Sequence, residues 1–396
     1  MLVPPLHHEI LTATLAVESS DLNEARALFE RLLTGLDQDY APTPAGLGLV
    51  VAWGLPYFDR LVPSAARRHL PYDRRAGRPA LLDARRFPSD PPGTVLEGNE
   101  LAILLQSDRR PHIDDALRRL QGSGLLHVTS LRRGFAGGAF DGGDSLPRQM
   151  AIAAKVPGAE LIPRGAELFL GFTSTQAAAI GPGKIANFET LGYVDLREGG
   201  YFREGTHMHL SHLDEDLEAW YSRFRYDERV ATAFGPELTV PVNAQVIPQG
   251  PQEVSTLEEV RRLYGVTGRI GHSPSLQTTT RLLAGALGAD GTRYPPGTAI
   301  PIRADFNTLD NPFFYADRSD VIKQGPAAGL HFVVFNPSSD DFERNRLAMD
   351  GVFPGGSVGL APRARGQGFN SVLTTTHRQN FLVPPRRHRS FPLAEF

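Results

Sequence analysis

One pattern recurs four times along the 396 residues and constrains the fold more than any other feature. It is an apolar, alternating segment, then a short polar turn, then an amphipathic helix. It appears as Ile10–Val17 followed by Leu22–Leu33, and as Glu100–Gln106 followed by Ile113–Leu120. It returns as Thr206–Leu210 followed by Leu213–Tyr221, and as Leu330–Phe335 followed by Asp341–Met349. Helix-start signals stand where the pattern needs them: Ser19-Ser20-Asp21 with Glu24 behind, and Asn336-Pro337-Ser338-Ser339-Asp340. Gly46–Gly54 and Leu125–Leu131 add two further strands, so the first third of the chain reads β-α-β-β-α-β. The third and fourth units, with a last strand near Asn380–Val383, make a second copy. The expected class is α+β, with duplicated ferredoxin-like units and antiparallel sheets. The expected division is an N-terminal half over 1–180 and a C-terminal half over 181–396, with the boundary around Gly181-Pro182-Gly183. Pro71–Gly98, Gly134–Asp144 and Gly351–Gly368 read as long loops of the kind that form lids or cradle ligands.

Composition removes several kinds of chemistry. With no cysteine there are no disulfides, thiolate nucleophiles or iron–sulfur ligands, so any iron must be held by His, Asp, Glu, Tyr or Met. A net charge of −3 argues against a nucleic-acid partner. No segment approaches the roughly 18–20 apolar residues of a membrane span, and the first residues lack the pattern of a secretory signal. The expected location is the cytoplasm, with no membrane partner.

Two regions concentrate candidate chemistry. In Thr206–His212, His207 and His209 share one face of a strand, a spacing that suits a divalent metal, with His212, Asp214 or a distant group as third ligand. The bland alternative is a strand with a polar face. In Val266–Gln277, His272 sits between Gly271 and Ser273 after a charged helix, Thr256–Tyr264, in a setting with room for a bulky planar group. About thirty residues on, Arg303 stands alone in the apolar run Ile300–Phe306, and then comes the strand Gly329–Phe335. On that strand Leu330 and Phe332 point one way and His331 the other.

In that order these segments resemble the dye-decolorizing peroxidases, a family of dimeric α+β barrel haem proteins. Thr206–Trp220 is similar to that family's strand entering an acidic "DLEAW" element. Gly329–Phe335 is similar to its "GLLFIAF" strand, and Phe381-Leu382-Val383-Pro384-Pro385 to its terminal "FFVPP". The triplet Gly271-His272-Ser273 marks a divergent branch.

The resemblance implies haem b in the C-terminal half, with His272 as axial ligand. It implies Arg303 on the opposite face as a fixed charge that polarises the oxidant, with Asp305 two residues on, and Leu330 and Phe332 as apolar pocket walls. The family's Gly-x-x-Asp-Gly motif aligns with Leu170–Thr175, which places Ser174 where the distal Asp should stand. A hydroxyl cannot take a proton from peroxide as a carboxylate does. Asp141, Asp144 or Asp305 are the candidate substitutes. The function implied is a haem peroxidase-like oxidoreductase turned to a specific small-molecule substrate, with hydrogen peroxide or dioxygen as oxidant, in a possible homo-oligomer. The alternatives are a haem-binding protein without turnover, a non-haem metalloprotein using His207 and His209, and an interaction module that has lost its cofactor.

Overall fold

A computed structural model of the chain describes residues 5–139, 142–172, 200–238, 255–282, 284–287, 293–318 and 325–396. Both halves have the connectivity read from the pattern. The first contains β1 (His7–Leu15), α1 (Leu22–Asp39), β2 (Gly48–Trp53), β3 (Leu101–Ser107), α2 (Arg110–Gln121) and β4 (Leu126–Phe135). The second contains β5 (Thr206–Glu215), α3 (Leu257–Thr267), α4 (His272–Thr280), β6 (Phe306–Thr308), β7 (Gly329–Asn336), α5 (Ser339–Met349) and β8 (Leu373–Val383).

In each half the first strand pairs with the third and the fourth, and the second pairs with the third, all antiparallel. That is the ferredoxin-like order, twice. The two sheets meet at Leu382 opposite Trp53 and at Asn307 opposite Phe135, which closes the eight strands into a ring. The inside of the ring combines an apolar cluster with buried polar side chains: His8 and Gln106, hydrogen-bonded to each other, share the faces of Ile10 and Leu104, and His331 that of Val333. Ile10, Val50, Ala52, Leu104, Met208, Leu210, Val333, Phe335 and Phe381 pack together there, each fully or almost fully buried.

The outer faces of the two sheets differ. In the N-terminal half, Leu11, Val51, Trp53, Ile103 and Leu105 pack directly on Phe29, Leu33 and Leu36 of α1 and on Ile113, Leu117 and Leu120 of α2. No gap is left. In the C-terminal half the corresponding face carries Ser211, Leu213 and Glu215 on β5 and Leu330, Phe332 and Val334 on β7. These residues line a cavity between the sheet and α4, beside the point where Phe342 of α5 packs on Val334.

Two expectations change. The segment Leu213–Tyr221 is helical only from Leu217: β5 continues to Glu215, because Asp214 pairs with Gly329 and Glu215 with Leu373, and the ladder overrides the helical spacing there. From Leu217 the chain turns into a short π-type segment, Ala219–Arg223, whose entry is capped by Asp216 Oδ1 accepting from the Ala219 N–H at 2.9 Å. The expected boundary between the halves, with Gly181-Pro182-Gly183, lies outside the described residues. Ser338 does begin α5, through a capping box with Asp341. Among the described residues, no helix is long and apolar enough to cross a membrane.

Candidate active site

The cavity encloses about 1650 Å³ of empty space, its open mouth and adjoining solvent included. His272, Arg303, Asp305, Leu330 and Phe332 all line it. They reach it from three elements. His272 is the first residue of α4. Its entry depends on Gly271, whose φ of +89° favours glycine and where a Cβ would lie 3.0 Å from the Ala231 carbonyl oxygen and 3.1 Å from Gly235. Gly271 donates its N–H to the Gln367 carbonyl at 3.0 Å, and Ser275 Oγ returns a hydrogen bond to the Gly271 carbonyl at 2.7 Å. The turn that presents His272 is therefore fixed from both sides.

The His272 ring packs against Phe369, with centroids 4.2 Å apart. Its Nδ1 is buried with no hydrogen-bond partner among the described residues. Burial first, then the charges of Arg303 and Arg346, lower its pKa to about 3, so the imidazole is neutral at physiological pH. A neutral imidazole facing a cavity is what an iron ligand requires.

Arg303 and Asp305 are two residues apart on extended chain and so share a face. The pairing of Arg303 with Val334 on β7 turns that face to the cavity. Arg303 keeps 40% of its side chain accessible, while Asp305 is 9% exposed. Asp305 Oδ1 accepts the Val333 N–H at 3.0 Å, and Oδ2 lies 3.5 Å from Arg303 Nη1. Burial raises its pKa to about 6 against the opposing pull of Arg303 and that N–H, so it is mostly ionised at pH 7.

Leu168, Leu170, Phe172, Leu276 and Phe369 complete apolar walls around Leu330 and Phe332. Arg281, half-buried at the wall, has no carboxylate or hydrogen-bond partner among the described residues, and burial lowers its pKa.

Three groups were not legible in the sequence. Glu215, at the end of β5, faces the cavity beside Asp305. At the opposite end, Asp90 Oδ1 accepts from Arg378 Nη2 at 2.8 Å and from Arg346 Nη2 at 3.1 Å. Asp350 binds Arg346 at 2.8 Å and Ser89 Oγ at 2.6 Å. This buried network ties the Pro71–Gly98 loop of the first half onto α5 and β8 of the second. The third is Arg281.

Other expectations are corrected. His207 and His209 do not form a metal site. His209 spends both nitrogens, with Nδ1 2.6 Å from Asn380 Oδ1 and Nε2 2.6 Å from Ser211 Oγ, and its ring stacks on Phe342. His212 and Asp214 point to the opposite face of β5. Among the described residues no three His, Asp or Glu side chains are placed to hold an ion. Asp144 is a surface group paired with Arg164 and Arg148, outside the cavity lining. Ser174 and Asp141 lie outside the described residues.

A family model described as a family of unknown function, DUF7405, matches residues 5–385. Among curated proteins none matches. Solved structures similar to this chain over nearly all its length are dye-decolorizing (DyP-type) peroxidases. A putative DyP-type peroxidase from Shewanella oneidensis has a TM-score of 0.56 at 15% identity, covering 99% of this chain and 95% of that one. The DyP-type peroxidase from Cellulomonas bogoriensis has a TM-score of 0.58 at 16% identity, covering 96% and 90%. A DypB variant from Rhodococcus jostii RHA1 in complex with heme has a TM-score of 0.55 at 15% identity, covering 98% and 97%. The fold is that of the DyP-type peroxidases.

Proposed function

The chain belongs to DUF7405, a family of unknown function, and we propose that it is a haem-dependent oxidoreductase that uses hydrogen peroxide to oxidise a specific small organic substrate. One observation carries the reading. His272, Arg303, Asp305, Leu330 and Phe332, spread over sixty residues, line one cavity, and it lies on the sheet face that in the N-terminal half is covered by the apolar side chains of α1 and α2.

The residues present suit haem b. His272 offers a neutral imidazole at the cavity wall, the walls are apolar, and Arg281 is a cation available to a propionate. When bound, haem supplies the iron that activates the oxidant and the ring that holds oxidising equivalents. The protein's own groups do the rest. Arg303 brings a fixed positive charge to the oxygen on which negative charge develops. The Asp305 carboxylate accepts a proton from the incoming peroxide. Leu330 and Phe332 keep water from the site. The overall balance is H₂O₂ + AH₂ → A + 2 H₂O, where AH₂ is a two-electron organic reductant.

The test is a haem titration of the purified protein and of His272→Ala, followed by absorbance. The wild type should develop a Soret band at one haem per chain, and the variant should retain the fold by circular dichroism and lose the band. An unchanged ferric spectrum in His272→Ala refutes the ligand assignment.

A further inference from the structure

Glu215 is an anomaly that packing does not explain. It ends β5, and strand alternation puts it on the cavity face with Ser211 and Leu213. It is 7% exposed, and neither carboxyl oxygen has a hydrogen-bond partner among the described residues. No Arg or Lys among those residues pairs with it. Buried carboxyls with a structural role are hydrogen-bonded or ion-paired, because an unmatched one costs stability.

The groups around it are otherwise committed. From the π-type segment, the Tyr221 hydroxyl donates to the Phe169 carbonyl at 2.6 Å, and Asp216 caps the same segment. From β8 come Leu373 and Thr375, and from the chain before residue 173 come Leu168 and Leu170. The charged group that acts on it is Asp305, itself 3.5 Å from Arg303. Two carboxyls therefore share one low-dielectric cavity, and among the described residues no cation pairs with Glu215, while Arg303 stands 3.5 Å from Asp305; Arg229 and Arg148 act on the neighbouring Tyr221.

We propose that Glu215 is the proton donor of this site, the acid that protonates the leaving oxygen of peroxide after the Asp305 carboxylate has taken the first proton. The assignment rests on the haem reading above. In the step, Asp305 receives one proton from bound H₂O₂. The O–O bond then breaks with its electron pair going to the outer oxygen, which takes the Glu215 proton and leaves as water. The other oxygen is reduced to a second water by two electrons and two protons from AH₂, and the Asp305 proton passes through the cavity to restore Glu215. The environments support the division of labour: burial and the Asp305 charge push Glu215 up to about 8, so it holds its proton at pH 7, while Asp305 stands near 6. Two carboxyls whose proton affinities are driven apart make an acid and a base.

The experiment compares the haem-loaded wild type with Glu215→Gln and Glu215→Asp. One readout is stopped-flow reaction with H₂O₂ from pH 5 to 10. The other is the infrared carbonyl stretch of a buried protonated acid. The wild-type rate should fall as pH rises through about 8, with loss of the carbonyl band over the same range. Glu215→Gln should keep full haem, lose about 10²–10⁴-fold in rate, and lack both the alkaline limb and the band. Glu215→Asp should recover part of the rate with a displaced limb. Full haem with wild-type rate and limb in Glu215→Gln overturns the assignment alone. Absence of the limb or band in the wild type overturns it without any variant. Failure of the wild type to bind haem overturns the haem reading, whereas absence of the infrared band from the haem-free protein overturns the protonated Glu215 alone, so the two failures are distinct.

Discussion

Replacing Glu215 by Gln should stabilise the protein at neutral and alkaline pH while removing its proton donor. Gln has nearly the size of a protonated Glu and cannot ionise. In the unfolded chain Glu215 titrates at its ordinary value of 4.5, and in the folded state at about 8. Between those values the native state binds a proton that the unfolded state has released, so stability falls as pH rises from 4.5 and levels off above 8. At about 1.4 kcal/mol per pH unit, the loss reaches a ceiling of about 3 kcal/mol at pH 7 and about 5 kcal/mol above pH 8. Relaxation and water entry make the realised value smaller. Urea unfolding of both proteins, haem-free so that ligand binding does not contribute, should give equal stabilities near pH 4.5. The variant should gain progressively to at least about 1 kcal/mol by pH 8, with unchanged denaturant slope. A difference that does not vary with pH, or a variant less stable at pH 8, refutes the claim that Glu215 is held protonated by its burial.

Asp305→Asn keeps the Val333 hydrogen-bond geometry but cannot accept a proton. The wild-type peroxide reaction should rise with pH through about 6 as Asp305 ionises, and the variant should lose that acid limb and about 10²–10⁴-fold in rate in stopped-flow measurements. Asp90→Ala removes the shared acceptor of Arg346 and Arg378, both nearly inaccessible, and leaves two cations without it. A loss of about 3–5 kcal/mol in urea unfolding is expected, and it should not depend on haem.

The fold was readable because its two periodicities are local. Strand alternation and helix spacing located β1 to β4 and β7 to within a few residues, and the capping residues placed the start of α5. Arg303, Asp305, Leu330 and Phe332 were singled out by the resemblance to the dye-decolorizing peroxidases, and alternation added only that Leu330 and Phe332 share a face. Glu215 was missed because Leu213–Tyr221 also satisfies a helical pattern, in which an acidic residue is an ordinary solvated one. The signal that could have found it is the continued alternation Ser211, Leu213, Glu215. The histidine pair misled for a different reason: the partner that commits His209 is Asn380, and no local spacing reports a residue so far along the chain. The Asp90 network is hidden in the same way, because its arginines come from α5 and β8.

Duplication explains why a cavity of this size can exist in the second half without unfolding the molecule. The ring of eight strands has its own buried interior, built by both halves, and the N-terminal sheet has its helices packed on its outer face. The C-terminal helices are thus not needed to complete the barrel core. α5 rests on the sheet through Phe342, which packs on Val334 and stacks on His209, and polar ties add to this: the Asp90–Arg346–Asp350 network, the capping box at Ser338, and the Gly271 turn locked to Gln367. The directional bonds at the Gly271 turn fix α4 at a distance from the sheet beside this contact. The same separation puts Asp305 and Glu215 in one low-dielectric space, with Arg303 3.5 Å from Asp305. The cavity that would admit a planar group is therefore also what drives the two carboxyls to opposite protonation states, and any change that lets α4 settle onto β7 should abolish both properties together.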